Sequence, residues 1–247
     1  MTIQDKLVEV AENSRQIYLR GYDDGGSQGY SEGLRYGEES AYNSFWDTYQ
    51  QNGNRYHYSY AFGGYGWTDE TFKPKYDIIV GNNVSSCLFA YSQITNLKKI
   101  LNKQNVILDT SQCTDIGSMF SGCSNLYSIP QIDASNSKHC NALFSYCGLI
   151  DNIDLIIKNN GSQTFTNAFL NCNQLYSLKI TGTIGESISL KQSKHLSKKS
   201  VENVINALSS TASGKTLTLH NDVRYQFNNA DWNNLINSKT NWTISLV

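Results

Sequence analysis

One short phrase, written four times, constrains this chain more than any other feature. Three copies match closely: Met119-Phe120-Ser121-Gly122-Cys123, Leu143-Phe144-Ser145-Tyr146-Cys147 and Ala168-Phe169-Leu170-Asn171-Cys172. A fourth, Leu88-Phe89-Ala90-Tyr91-Ser92, keeps the form with Ser in place of Cys. The phenylalanines lie 31, 24 and 25 residues apart, and recurrence at that interval marks repeats that stack on one another. An apolar triplet follows each phrase. It reads Ile150, Ile153, Leu155 in the third copy and Leu175, Leu178, Ile180 in the fourth. The second, Leu126, Ile129, Ile132, slips by one residue around Pro130, and the first is looser, with Ile94, Leu97 and Ile100.

Stacking explains the phrase. In the third and fourth copies the last two apolar positions of the triplet alternate with polar ones, which puts both on one face of a short strand. Phe and Cys, three apart, share one face of a helical turn and point at the same interior. One unit cannot bury its own face, so neighbours must stack into a continuous core. A Cys recurring at an interior position reads as a small hydrophobe. The pattern predicts an α/β leucine-rich-repeat solenoid over residues 79–190.

The flanking sequence extends this plan. Ile3, Leu7, Val10, Ser14 and Ile17 follow the 4-3 spacing of a coiled coil over residues 2–20. Such a helix either packs on its own chain or serves as a self-association stub or a peg into a larger assembly. Gly21, Gly25, Gly29, Gly33 and Gly37 then recur at every fourth residue. As a helix, this stripe requires another backbone close by, at about 1 kcal/mol per glycine relative to Ala; otherwise it is a Gly/Tyr linker. Residues 1–40 are accordingly an attachment or oligomerisation segment, with a trimer as the favoured homo-oligomer. Residues 41–78 form an aromatic connector: Tyr42, Phe45, Trp46 and Tyr49 suit one helical face, and Tyr56-x-Tyr58-x-Tyr60-x-Phe62 alternates as a strand. Residues 191–247 make the closing unit. Ser197 caps a helix carrying Val201, Val204, Ile205 and Leu208, with Leu196 against Val201 as a staple. The strand Leu217–Leu219, a helical turn Trp232–Ile236 and the strand Trp242, Ile244, Leu246 complete it.

The Met-Phe-x-x-Cys-x-x-Leu-x-x-Ile phrasing resembles the BspA-like leucine-rich repeats of bacterial surface and phage proteins. The segments Tyr42–Arg55, Tyr60–Phe62 and Gly66–Ile78 are similar to a module that precedes such repeats in phage and prophage proteins of gut Firmicutes, and the Leu196-Ser197 helix and the Asn241–Val247 end resemble the same group. The resemblance implies a virion structural protein of the tail or baseplate, with other virion proteins as partners and contact with a host-surface polysaccharide or protein as the usual role of the repeats. It carries over no catalytic residue.

Composition narrows the alternatives. Net charge is −1, which gives no reason to expect nucleic acid or an anionic membrane as partner. No apolar run approaches the roughly 18 residues of a membrane span. Met1-Thr2-Ile3-Gln4-Asp5-Lys6 lacks the basic-then-apolar opening of a secretory signal. The expectation is therefore synthesis in a reducing host cytoplasm, delivery to the virion, and six Cys as thiols. The alternative is a bacterial cell-surface adhesin with the same repeats.

Chemistry-bearing motifs are few. His57, His139, His195 and His220 lie far apart without metal-ligand spacing. His139-Cys140 with Cys113, Cys123 and Cys147 could be drawn as a zinc site, but the repeat position already accounts for Cys123 and Cys147. Ser213-Gly214-Lys215-Thr216 echoes a phosphate loop, yet Ser209 replaces the first glycine and the loop leads from helix to strand. Asp23-Asp24 and Glu38-Glu39 read as surface charge. Neither a metal nor another cofactor is expected, nor catalysis. What remains is surface: Tyr91, Tyr127, Tyr146, Asp154, Tyr176 and Lys179 fall between the apolar positions, as do Ser128, Asp151, Asn152 and Ser177, so they must face out. The four tyrosines read as a ladder of one per repeat, either a binding surface or rings that pack across adjacent turns.

Overall fold

In the second and third copies every backbone amide of the repeated phrase goes to one of two destinations, and that division sets the architecture. In the third copy, Ala142, Phe144 and Tyr146 donate to the next turn: Ala142 N to Thr166 O at 2.8 Å, Phe144 N to Ala168 O at 2.9 Å and Tyr146 N to Leu170 O at 2.7 Å. The residues between them close tight turns within the copy, Ser145 N to Ala142 O at 3.1 Å and Cys147 N to Phe144 O at 3.1 Å. The second copy repeats this with Ser118, Phe120 and Gly122 bonding forward. The turn is therefore not the helical one the spacing predicts. Two residues per copy, at Phe−2 and Phe+2, take left-handed backbone: Cys87 and Tyr91, Ser118 and Gly122, Ala142 and Tyr146, Asn167 and Asn171. Alternating hands turn every second amide along the direction of stacking.

The computed structural model describes residues 63, 67–74, 77–80 and 87–247, all within one unit, Tyr56–Val247. The expectations for residues 1–62, including self-association through Ile3, Leu7, Val10, Ile17, Gly21, Gly25, Gly29, Gly33 and Gly37, lie outside the described residues. Among those residues the fold is mixed α/β with small parallel sheets and no closed barrel. Strands β1 (Ile78–Ile79) and β2 (Leu108–Asp109) pair in parallel, as do β3 (Ile132–Asp133), β4 (Asn152–Ile156) and β5 (Ser177–Thr181) in that order. Ile132 faces Leu155 and Leu155 faces Ile180 across the register, so the inward residues of successive strands form one buried column.

The rings form a second column. Phe89, Phe120, Phe144 and Phe169 stack with centroids 5.3, 5.6 and 6.0 Å apart, and each is at least 98% buried. Phe72 continues the line edge-on to Phe89 at 5.7 Å, and Trp67 edge-on to Phe72 at 5.8 Å. Aromatic pairs of this kind contribute about 0.5–1.5 kcal/mol beyond their buried area. Among the described residues the stack thus starts with Trp67 and Phe72, and its first strand with Ile78, inside the stretch read from sequence as a connector.

The first apolar triplet departs from expectation. Leu97 opens helix α1 (Leu97–Gln104) rather than a strand, and Ile100 is only half-buried. Asn96 caps the helix by accepting from Lys99 N at 2.8 Å, and Asn105 ends it in left-handed backbone. The 31-residue spacing from Phe89 to Phe120 accommodates the additional helix, and Leu108 takes the strand position instead.

At the other end helix α2 (Lys198–Ala207) lies along β5. Ser200 Oγ accepts from Leu178 N at 2.9 Å and Asn203 Oδ1 from Ile180 N at 2.7 Å. Side chains of a helix thereby satisfy the edge that a further strand would have paired. As predicted, Ser197 caps α2 and Leu196 and Val201 are both buried. Beyond it, β6 (Ile188–Leu190), β7 (Lys215–Leu219) and β8 (Trp242–Leu246) form a third parallel sheet, with α2 and α3 (Asn229–Asn237) in the connections.

Candidate functional site

The cysteines have more than a packing role. All six are free thiols, and those of the repeat act as donors rather than as hydrophobes alone. Cys123 Sγ donates to Phe89 O at 2.9 Å, Cys147 Sγ to Phe120 O at 3.0 Å and Cys172 Sγ to Phe144 O at 3.1 Å. Each thiol thus clips its turn to the one before. Ser193 makes a related contact further on, its Oγ donating to Cys172 O at 3.2 Å rather than to a phenylalanine carbonyl. Burial pushes the thiols up, Cys123 to about 11, Cys140 and Cys172 to about 12, and Cys147 well above the ordinary value. Such thiols are inert at neutral pH. Among the described residues no three His, Cys, Asp or Glu gather at metal-binding distance. Lys215 of the phosphate-loop echo pairs with Glu186 at 2.7 Å instead.

The four tyrosines are exposed: Tyr91 48%, Tyr127 43%, Tyr146 54% and Tyr176 61%. They do not make a single ladder. Tyr91 and Tyr146 occupy the Phe+2 position of alternate turns, with Gly122 between them. Tyr127 and Tyr176 occupy the place after the first triplet leucine, with Asp151 between them. The reason is the left-handed Phe+2 backbone, which re-aims those side chains away from the strand edge. Tyr91 packs on the next turn, its ring filling the space that a Cβ on Gly122 would need. Tyr127 Oη accepts from Asn96 Nδ2 at 3.0 Å. Tyr146 and Tyr176 make no side-chain hydrogen bond among the described residues.

The outward face of the β3–β5 sheet carries the other two residues singled out from sequence. Asp154 and Lys179 are register partners and form an ion pair at 3.0 Å. Partly exposed pairs of this kind contribute little to stability. Asp154 Oδ1 is shielded from water and has no hydrogen-bond partner among the described residues.

Two residues further along these strands lies a recess of about 540 Å³ at their carboxyl ends. Its lining includes Ser135 and Asn136 after β3, Lys158 and Asn160 after β4, with Ile156 and Thr181 from the strands. Sequence reasoning missed it. The available signal was the pair of polar loops, Ser135-Asn136 and Lys158-Asn159-Asn160-Gly161, each directly after an apolar strand run.

Buried Gln163 holds the two walls together. Its Oε1 accepts from Lys158 N at 2.6 Å, while Nε2 donates to Ala134 O at 2.6 Å and Ser137 O at 2.8 Å. The second wall is held from behind by glycines: a Cβ on Gly185 would stand 2.2 Å from Gly161 O, and one on Gly182 2.4 Å from Ile157 O. Only bare backbone permits so close an approach.

Compared with known proteins, the chain matches no family model, no curated protein and no solved structure.

Proposed function

We propose that the chain is a BspA-like leucine-rich-repeat solenoid whose exposed face binds, without catalysis, a protein or a host-surface molecule, and that it serves as a structural protein of a phage tail or baseplate. The observation that carries the binding role is the placement of Tyr91, Tyr127, Tyr146 and Tyr176, all exposed, on turns held rigidly by the ring column. Aromatic area presented on a stiff support loses little side-chain entropy on contact. The solenoid reading is supported by the 23- to 25-residue register between β3, β4 and β5 and by the four-fold phrase. The virion assignment draws on the sequence resemblance of the connector, the repeats and the closing segment.

Mass spectrometry of purified phage particles tests the assignment. Recovery of the chain in fixed proportion to the tail proteins is the expected result. Its absence from particles would sink the virion reading, and its recovery from the surface of uninfected cells would establish the adhesin alternative.

A further inference from the structure

We propose that the recess at the carboxyl ends of β3, β4 and β5 is a binding site for a neutral saccharide unit. Its volume, about 540 Å³, falls in the range of small-molecule clefts, roughly 300–1,000 Å³. The lining specifies the ligand's chemistry. Asn136 donates its Nδ2 to Ser111 O at 2.5 Å, which fixes the amide and leaves Oδ1 as an acceptor. Asn160 is fixed the other way: its Oδ1 accepts from Ser162 N at 3.1 Å and Ser162 Oγ at 2.8 Å, which leaves the two protons of Nδ2. Lys158 Nζ forms no ion pair among the described residues and adds donors. The hydroxyls of Ser135 and Thr181 both give and take.

A ligand meeting this set must itself give and take, as sugar hydroxyls do. A simple anion fits poorly, because Asn136 among the lining residues has only its amide oxygen left to offer. A simple cation is opposed by Lys158. Half-buried Ile156, on the outward face of β4, supplies an apolar floor for the C–H face of a ring. The walls are pre-formed, since Gln163 joins them and the glycine contacts brace the second against residues 182–185, so little ordering opposes binding. This inference does not depend on the virion reading: the chain can bind sugar whether or not it resides in a particle.

Saturation-transfer NMR on the full chain tests it, with maltotriose and tri-N-acetylchitotriose as neutral probes and trigalacturonate as the acidic one. Transfer to at least one neutral probe is expected, weakened about tenfold or more, which is 1.4 kcal/mol, by Thr181→Arg, which fills the recess, and by Lys158→Ala, which removes donors. Tyr225→Ala, at a side chain 85% exposed and outside the recess, should leave transfer unchanged. Circular dichroism on each variant checks the fold, and the two recess variants are independent of one another. No transfer to either neutral probe, undiminished transfer in both folded recess variants, or tighter binding of trigalacturonate would each overturn the proposal.

Discussion

The thiol of Cys147 donates to the carbonyl oxygen of Phe120, one turn earlier in the stack, at 3.0 Å. Its neighbours Cys123 and Cys172 do the same toward Phe89 and Phe144. The side chain at this position therefore has two roles, filling apolar space and tying adjacent turns. Cys147→Ser keeps a donor, whereas Cys147→Ala loses both donor and volume. Urea titration should find the alanine variant less stable than wild type by about 1–3 kcal/mol, with the serine variant between them. Equal stability of the alanine variant and wild type would show that the thiol bond contributes nothing.

Phe144 lies between Phe120 and Phe169 in the ring column, fully buried. Removing it opens a cavity that turns on both sides cannot close, because their backbones are bonded in register. Phe144→Ala should lower unfolding stability by about 3–5 kcal/mol, read from the same titration.

Gly122 is under two independent constraints. Its φ is +75°, and a Cβ would stand 2.4 Å from Tyr91 Cδ1. Gly122→Ala should destabilise by more than the roughly 1–2 kcal/mol of backbone strain, and by that strain alone in a Tyr91→Ala background, where the clash is gone. At the Phe−2 position, Ala142 holds a φ of 51°. Ala142→Gly relieves that strain and should raise the melting temperature.

The buried thiols set a pH dependence. Their folded-state values lie above the ordinary 9.0, with Cys123 at about 11 and Cys140 and Cys172 at about 12. Below pH 9.0 the thiols are protonated in both states and this stabilisation is fully present. As pH rises above it, the unfolded chain loses protons first, so stability falls through pH 11 to 12. Denaturant midpoints measured across that range should fall, and less so in a Cys140→Ala chain. Ellman's reagent on the native chain should label half-buried Cys87 well ahead of the five buried cysteines.

Light scattering bears on residues 1–55. The comparison belongs between the full chain and residues 56–247, because a cut at 79 would remove Trp67 and Phe72 from the ring column. A trimeric full chain beside a monomeric 56–247 is the expected result for an N-terminal oligomerisation segment. Equal monomeric masses would leave that segment to dock on another protein.

The sequence by itself determined which residues face inward. Phe89, Phe120, Phe144 and Phe169, the repeat cysteines, and Ile153, Leu155, Leu178 and Ile180 are all buried where periodicity put them, because side-chain direction follows local backbone geometry. The Ser197 cap and the closing strands were legible for the same reason. What each inward or outward group meets follows from how the turns pack against one another. That Leu97 begins a helix, that the tyrosines fall into two columns, that thiols bond to carbonyls one turn back and that Gln163 bridges two loops all depend on residues some 20 to 35 positions apart. Those partners are set by the register of neighbouring turns. The recess is likewise a property of two adjacent turns and the space left between them, with no counterpart in either turn alone.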